Sequence, residues 1–325
     1  MANHQRAKVV VAYEQVPGFL DDLKRDFPQV EFRPAFTPAD RLREVDGADV
    51  YYGWISSDVF KQGRGLRWVQ VPGTGIDHVL EMTPELVDSD VVLTNSRGPH
   101  ANPMADHTLG MVVALAHRFP KLFEDQKARK WDTPGYHMTF TELGGSTMGI
   151  LALGDIGAAV ARRAHGFGMR VLAVDARPPK KKPDFVEAVW GLDKLDDLVK
   201  ASDWFVVTVP YTPATRFVID RRRIGLMKQG ARLIVVSRGG IVDEAALADA
   251  LRSGKLAGAA LDVTETEPLP KDSPLWGLDN LILSPHVSAE TPGTFHGRAE
   301  IFKENLRRYL AGKPFLYTCD KRAGF

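Results

Sequence analysis

Short runs of β-branched and apolar residues recur along this chain, separated by amphipathic stretches long enough for a helix. In the first block "KVVVAY" (Lys8–Tyr13), "VEFRPAF", "DVYYGW", "RWVQV" and "VVLTN" (Val91–Asn95) read as strands, with stretches such as "GFLDDLKRDF" between them. Strands that alternate with helices argue for βαβ units and a parallel sheet, since parallel pairing needs a crossover of helix length. From about Thr147 the alternation restarts with "MGILAL", "RVLAVD", "DWFVVTV", "ARLIVVS", "AGAALDV" and "LILSP". These six runs are almost wholly apolar, as expected for strands covered by helices on both faces. Helices are predicted over 156–167, 195–200 and 243–253. A longer one runs over Pro103–Phe119, with Pro103 at the first helical position. "TPGTFHGRAEIFKENLRRYLAG" (Thr291–Gly312) reads as one amphipathic helix. The expectation is an α/β protein of two blocks, about 100 and about 185 residues long.

Composition bounds the partners. The 325 residues carry a formal net charge of +1, so bulk charge recommends neither nucleic acid nor an anionic membrane. No window approaches the roughly 18 apolar residues of a membrane span, and "MANHQRAKVVVAYEQVPG" lacks the pattern of a signal peptide. The single cysteine, Cys319, cannot form an internal disulfide and suits a reducing compartment. A cytoplasmic protein is expected. "RPPKKKP" (Arg177–Pro183) is most simply a solvated loop. The histidines form no metal-ligand spacing such as H-E-x-x-H, so no metal is expected.

The second block opens on "GILALGDIGAAV" (Gly149–Val160), a variant of the G-x-G-x-x-G turn in which Ala152 takes the first position and Gly154 and Gly157 the others. It lies between a strand and a small-residue helix. Asp175 ends the next strand 21 residues after Gly154, near the spacing of an acid that binds a ribose. On this reading Gly154 admits the pyrophosphate. The N–H groups of Asp155, Ile156 and Gly157 point at it from a helix N-terminus, and Asp175 accepts from the ribose. Ala152 is compatible provided its φ stays negative. The alternative is an ordinary strand-to-helix turn. Asp175 would repel a 2′-phosphate and favours NAD, whereas Arg177 and Lys180–Lys182 could bind one, which leaves NADP open.

Three side chains follow later strands: Arg238 in "SRGGIVDE", Glu267 in "TETEP" and His286 in "PHVSAET". The ends of strands are where open α/β sheets bind ligands, yet spacing alone does not join these three. A lone arginine or histidine at such a place is ordinarily a capping or structural residue.

The order of longer motifs goes further. "VQVPGTGIDHV", "VPYTPATRFVI", "LMKQGARLIVVSRGGIVDEAALADAL", "SGKLAGAALDVTETEPLP" and "LILSPHVSAET" resemble the D-2-hydroxyacid dehydrogenase family over most of the chain. The resemblance implies a Rossmann-type doubly wound parallel sheet inserted into a smaller flavodoxin-like substrate domain. Residues 101–286 would bind NAD, and 1–100 with 287–325 would bind substrate. It implies a substrate-binding and catalytic Arg238, and Glu267 with His286 as the acid–base pair. Gly73, Thr74 and Gly75 would hold the substrate carboxylate. Val209, Pro210, Thr215, Ser237, Arg238, Asp262 and His286 would line the cofactor. The implied activity is hydride transfer between a nicotinamide and a small 2-oxo acid or D-2-hydroxy acid, of the glyoxylate or hydroxypyruvate reductase kind, in a homodimer. Relatives that oxidise phosphite, or that act as NAD-sensing corepressors, are the alternatives.

These residue types suit that chemistry. Arginine's planar fork can bind a carboxylate and polarise the adjacent carbonyl. A protonated His286 would supply the proton that the reduced oxygen needs, and Glu267 beside it favours the imidazolium. Departures from the family pattern are Asp106 for a common glutamate, Val235 for a common asparagine, and Pro72 before the glycine loop. Trp54 either faces substrate or packs. His107 and His117 read as helix packing or surface, and His100 stays open.

Overall fold

The structure is a computed structural model and describes residues 7–325. The first strands are β1 (Lys8–Val11), β2 (Glu31–Pro34), β3 (Val50–Tyr52), β4 (Trp68–Gln70) and β5 (Val92–Thr94). Helices α1 (Phe19–Asp26), α2 (Pro38–Glu44), α3 (Ser57–Gln62) and α4 (Asp77–Met82) alternate with them. Then come α5 (Ala101–Ala116), α6 (Phe119–Lys127) and α7 (Thr133–Tyr136). The second series runs β6 (Thr147–Leu151), α8 (Asp155–Gly166), β7 (Arg170–Val174), β8 (Ala188–Trp190), α9 (Leu195–Ala201) and β9 (Trp204–Val207). It continues with α10 (Arg221–Leu226), β10 (Ala231–Val235), α11 (Glu244–Arg252), β11 (Leu256–Leu261), β12 (Leu281–Leu283) and α12 (Pro292–Leu310). No helix among the described residues is long and apolar enough to cross a membrane.

The chain divides into two compact units: Met1–His100 with Glu290–Phe325, and Ala101–Ala289. The first holds a parallel sheet in the order β2-β1-β3-β4-β5, the order of a flavodoxin-like fold. Successive residues of a strand face opposite ways, so both faces are apolar. Val9, Val11, Tyr52 and Trp68 pack on one side with Phe19, Leu23, Phe302 and Leu306. Val10, Tyr51, Val69 and Leu93 pack on the other with Val45, Ile55, Val79 and Leu86. The last helix joins this core through Phe302, whose ring lies 4.2 Å from Tyr52 and 5.5 Å from Trp68. Thr291 caps it by accepting from the Thr294 N–H, and Pro292 occupies its first turn.

The second unit holds a seven-stranded parallel sheet, β12-β11-β10-β9-β6-β7-β8. The chain leaves β6 for β7 on one side and returns to β9 on the other, which puts a topological switch point at the end of β6. Small residues let α8 approach the sheet and α5: Gly157, Ala161 and Ala164 are buried, as are Ala105, Leu109 and Val112 opposite.

Two expectations are corrected. The sheet has seven strands rather than six. The missed one, β8, has three half-buried residues at an edge, too few to carry a period. The long helix starts at Ala101, so Pro103 is its third residue; it still lies in the first turn, where an N–H has no helical acceptor.

Candidate active site

The glycine turn begins where β6 ends. Ala152 has φ of 78°, so the expectation of a negative φ is overturned: an alanine stands in left-handed backbone that glycine adopts without cost. Neighbours on both sides over-determine it. Its N–H donates to Val174 O (2.8 Å), and its carbonyl accepts from Thr208 Oγ1 (2.8 Å). The other two glycines are needed for opposite reasons. A Cβ on Gly157 would lie 2.1 Å from Ala152 O, so the fold itself forbids it. Gly154 has φ of −71° and nothing within 4 Å of a built Cβ. Nothing in the protein demands glycine there, whereas a ligand approaching the backbone would.

The start of α8 has the same character. Asp220, Asp243 and Thr291 cap their helices with a side chain, but Gly154 cannot. The Ala158 N–H makes the first helical bond, to Gly154 O (2.8 Å), which leaves the N–H groups of Asp155, Ile156 and Gly157 for an anion. Asp175, just after β7, is anchored to this turn: Oδ2 accepts from Leu153 N (2.8 Å) and Oδ1 from Arg177 N (2.7 Å). Each oxygen keeps a lone pair for a ribose hydroxyl. Open backbone, an uncapped helix start and an anchored carboxylate together fit a dinucleotide.

Beside it, after β9, Val209 is half-buried and Pro210 exposed. Thr215 ties their loop together, donating to Pro210 O (2.7 Å) and accepting from Thr212 N (2.8 Å). Ser237 is 7% exposed, and its buried hydroxyl has no protein partner.

Strands β10, β11 and β12 are neighbours, so the loops after them emerge side by side. They carry Arg238, Glu267 and His286 respectively. Arg238 Nη1 donates to Ser237 O (2.8 Å). A Cβ on Gly239 would lie 1.9 Å from Thr264 O, so this loop runs directly against the turn that holds Glu267. Glu267 Oε1 accepts from Thr264 N (3.1 Å), and Oε2 lies 2.9 Å from His286 Nδ1. With Nδ1 engaged, Nε2 is the ring nitrogen left for a reactant. Both side chains stay accessible, 45% for His286 and 40% for Glu267.

His286 is held by its backbone as well. Its φ is 56°, and its N–H donates to Asp262 O (2.7 Å). The Asp262 carboxylate is buried and accepts from Ser284 Oγ (2.5 Å), Val287 N (3.0 Å) and Ser288 N (3.0 Å). Asp262 therefore fixes the loop on both sides of His286. Sequence reasoning missed two members of this network. Ser284 Oγ lies 3.0 Å from Nε2 of His107 on α5, a residue read as packing or surface. The pair is 177 residues apart, and no local pattern joins them. Asp106 lies 2.6 Å from Arg163 Nε, tying α5 to α8. Val235 is packed in the core.

In the first unit, the glycine loop follows β4. Gly73 O accepts from Ser96 N (2.9 Å) and Thr74 O from Asn95 Nδ2 (2.6 Å). Among the described residues no protein group accepts from the N–H of Gly73, Thr74 or Gly75. Trp54 packs over this loop: a Cβ on Gly73 would lie 2.8 Å from its ring. His100 is buried and receives Arg298 Nε (3.0 Å).

A family model described as "D-isomer specific 2-hydroxyacid dehydrogenase, NAD binding domain" matches residues 109–288. The chain belongs to that family. The matched stretch contains the Gly154 turn, Asp175 and the loops of Arg238, Glu267 and His286. Among relatives, the D-3-phosphoglycerate dehydrogenase of Methanocaldococcus jannaschii is 33% identical over 88% of this chain, which spans 54% of that protein. The glyoxylate reductase of Thermococcus gammatolerans is 34% identical over 95% of this chain and 94% of its own. A D-isomer specific 2-hydroxyacid dehydrogenase from Xanthobacter autotrophicus, solved with NADPH and MES, is 32% identical. It superposes with a TM-score of 0.83 over 98% of this chain and 99% of its own. In a member of this dehydrogenase family the dinucleotide that the Gly154 turn fits is NAD or NADP.

Proposed function

We propose that the protein is an NAD(P)-dependent oxidoreductase that interconverts a small 2-oxo acid and a D-2-hydroxy acid. The 2.9 Å contact of Glu267 with His286, on the loop next to Arg238, carries this reading. A bound nicotinamide supplies or accepts the hydride. Arg238 binds the substrate carboxylate and polarises the carbonyl. His286 Nε2 gives its proton to the carbonyl oxygen as that oxygen becomes a hydroxyl and takes it back in the reverse direction, and Glu267 keeps the ring oriented. The unpaired N–H groups of Gly73 to Gly75 suit a carboxylate. The first unit is thereby assigned to substrate and the second to cofactor.

Relatives named glyoxylate reductase, which match along almost their whole length, support glyoxylate or hydroxypyruvate as substrate. Asp175, anchored at the turn with its charge where a 2′-phosphate would lie, supports NAD over NADP. Trp131, Met138 and Phe123 are 97%, 90% and 56% exposed around α6 and α7 and suit burial against a second copy in a homodimer. The lone thiol, buried at Cys319, supports a cytoplasmic setting.

The test is turnover of a panel of 2-oxo acids with NADH and with NADPH. We expect glyoxylate or hydroxypyruvate to turn over with NADH, and His286→Ala to lose about 100-fold or more in kcat. Unchanged turnover in that variant would refute the assignment.

A further inference from the structure

Glu244 takes no part in the chemistry above, yet it bonds to the turn that holds Glu267 and lines a cavity with the Arg238 loop. It is the first residue of α11, and that helix is already capped: Asp243 Oδ1 accepts from Ala246 N (2.9 Å). The Glu244 carboxylate is therefore free to act elsewhere. Its Oε1 accepts from Glu265 N (2.5 Å), and Glu265 Oε1 accepts from Glu244 N (3.0 Å). This reciprocal pair ties the start of α11 to the turn in which Glu267 meets Thr264 N and His286. On its other side Glu244 shares with Arg238, Gly239, Gly240 and Val263 the lining of a small cavity of ≈ 10 Å³, room for about one water.

Holding a carboxyl there is costly. Burial chiefly, and then the charges of Glu265 and Glu267, push it up to about 7 against the pull of the Glu265 N–H. The charged groups around it are Glu265 and Glu267 on the turn, Arg238 on the loop after β10, Asp243 at its own N-cap, and His286 beyond Glu267. A glutamine could accept the same hydrogen bond without this electrostatic cost, so the contact with the Glu267 turn can be tested apart from the charge.

We propose that Glu244 is a positioning residue for the acid–base pair, holding the Thr264–Glu267 turn against the Arg238 loop. The inference rests on the catalytic reading of that pair given above.

The experiment compares wild type, Glu244→Gln, Glu244→Ala and His286→Ala. It measures kcat and KM for reduction across pH, and thermal unfolding of the cofactor-free proteins. Glu244→Ala is expected to lose about 10- to 100-fold in kcat with KM changed by less than about threefold, because the pair is displaced while binding survives. Glu244→Gln, which can accept the same hydrogen bond, recovers kcat to within about threefold. Its unfolding temperature gains on wild type between pH 5 and 8, since wild type alone ionises a half-buried carboxyl there. If Glu244→Ala does not fold, Glu244→Asp, one methylene shorter, replaces it in the comparison. Wild-type kcat in the truncated variant, or a loss of kcat in Glu244→Gln as large as in that variant, overturns the proposal. If His286→Ala also keeps full turnover, the catalytic reading itself has failed; if it is inactive, only the role of Glu244 has.

Discussion

Two glycines in one turn should respond to the same substitution in opposite ways. Gly154→Ala adds a methyl group to a residue at φ −71° with no atom within 4 Å. The cofactor-free fold should tolerate it, and the stiffer unfolded chain even favours it by roughly 0.4–1 kcal/mol. In the proposed binding mode the same methyl group would occupy the space through which a pyrophosphate would reach the N–H groups of Asp155 to Gly157. Overpacking of a fitted contact costs about 1–3 kcal/mol, so Kd for NADH should rise roughly 5- to 150-fold. Gly157→Ala instead drives its methyl carbon to 2.1 Å from Ala152 O, a backbone atom held by Thr208 and unable to rotate away. The turn or α8 must shift, which costs about 1–3 kcal/mol or more in the cofactor-free protein. Denaturant unfolding without cofactor, paired with NADH fluorescence titration, separates the two. Wild-type NADH affinity in Gly154→Ala would refute the reasoning, as would equal losses of stability in both variants.

Three further outcomes follow from the geometry. Ala152→Gly should raise stability by up to about 1 kcal/mol, the left-handed cost to alanine of about 1–2 less the entropy that glycine adds; a lower denaturation midpoint would show that the turn is not strained. Asp262→Asn leaves one of the buried acceptor positions facing the Val287 and Ser288 N–H groups as a donor. It should cost about 2–4 kcal/mol and raise amide exchange across 284–288, and unchanged exchange there would contradict its role in fixing the His286 loop. Asp196, held at about 2 by hydrogen bonds from Arg222 first and Arg223 next, has a carboxyl lowered from its ordinary value. Its stabilisation is complete above about pH 4 and is lost as pH falls toward 2. Asp196→Asn should therefore lower stability at pH 7 by less than about 1 kcal/mol and match wild type near pH 2; a constant difference across that range would count against the ion pair.

Much of the site was legible because its determinants are local. Gly154, Gly157 and Asp175 belong to one strand–turn–helix–strand unit, and their spacing follows from the lengths of those elements. Arg238, Glu267 and His286 each follow an apolar run, and such runs become strands wherever the chain buries them. What escaped was set by approach from elsewhere. Ala152 is held by the Thr208 hydroxyl, just after β9, and by the Val174 carbonyl on β7, both from outside its own turn. His107 reaches Ser284 across 177 residues, and Glu244 reaches Glu265 from another element. A three-residue edge strand such as β8 has no period to read and exists because β7 offers it a partner.

The amino-acid sequence by itself determined the parallel α/β class, the glycine turn between strand and helix and the order of the strand-end residues, because burial period, turn chemistry and element length act over a few neighbouring residues. Only the tertiary structure decided that β10, β11 and β12 lie side by side and bring Glu267 within 2.9 Å of His286. It also decided that Asp262 turns inward to hold the His286 loop, and that Glu244 leaves its own helix to clamp the Glu267 turn. Those contacts depend on strand order and packing, which are long-range properties that no short window of sequence contains.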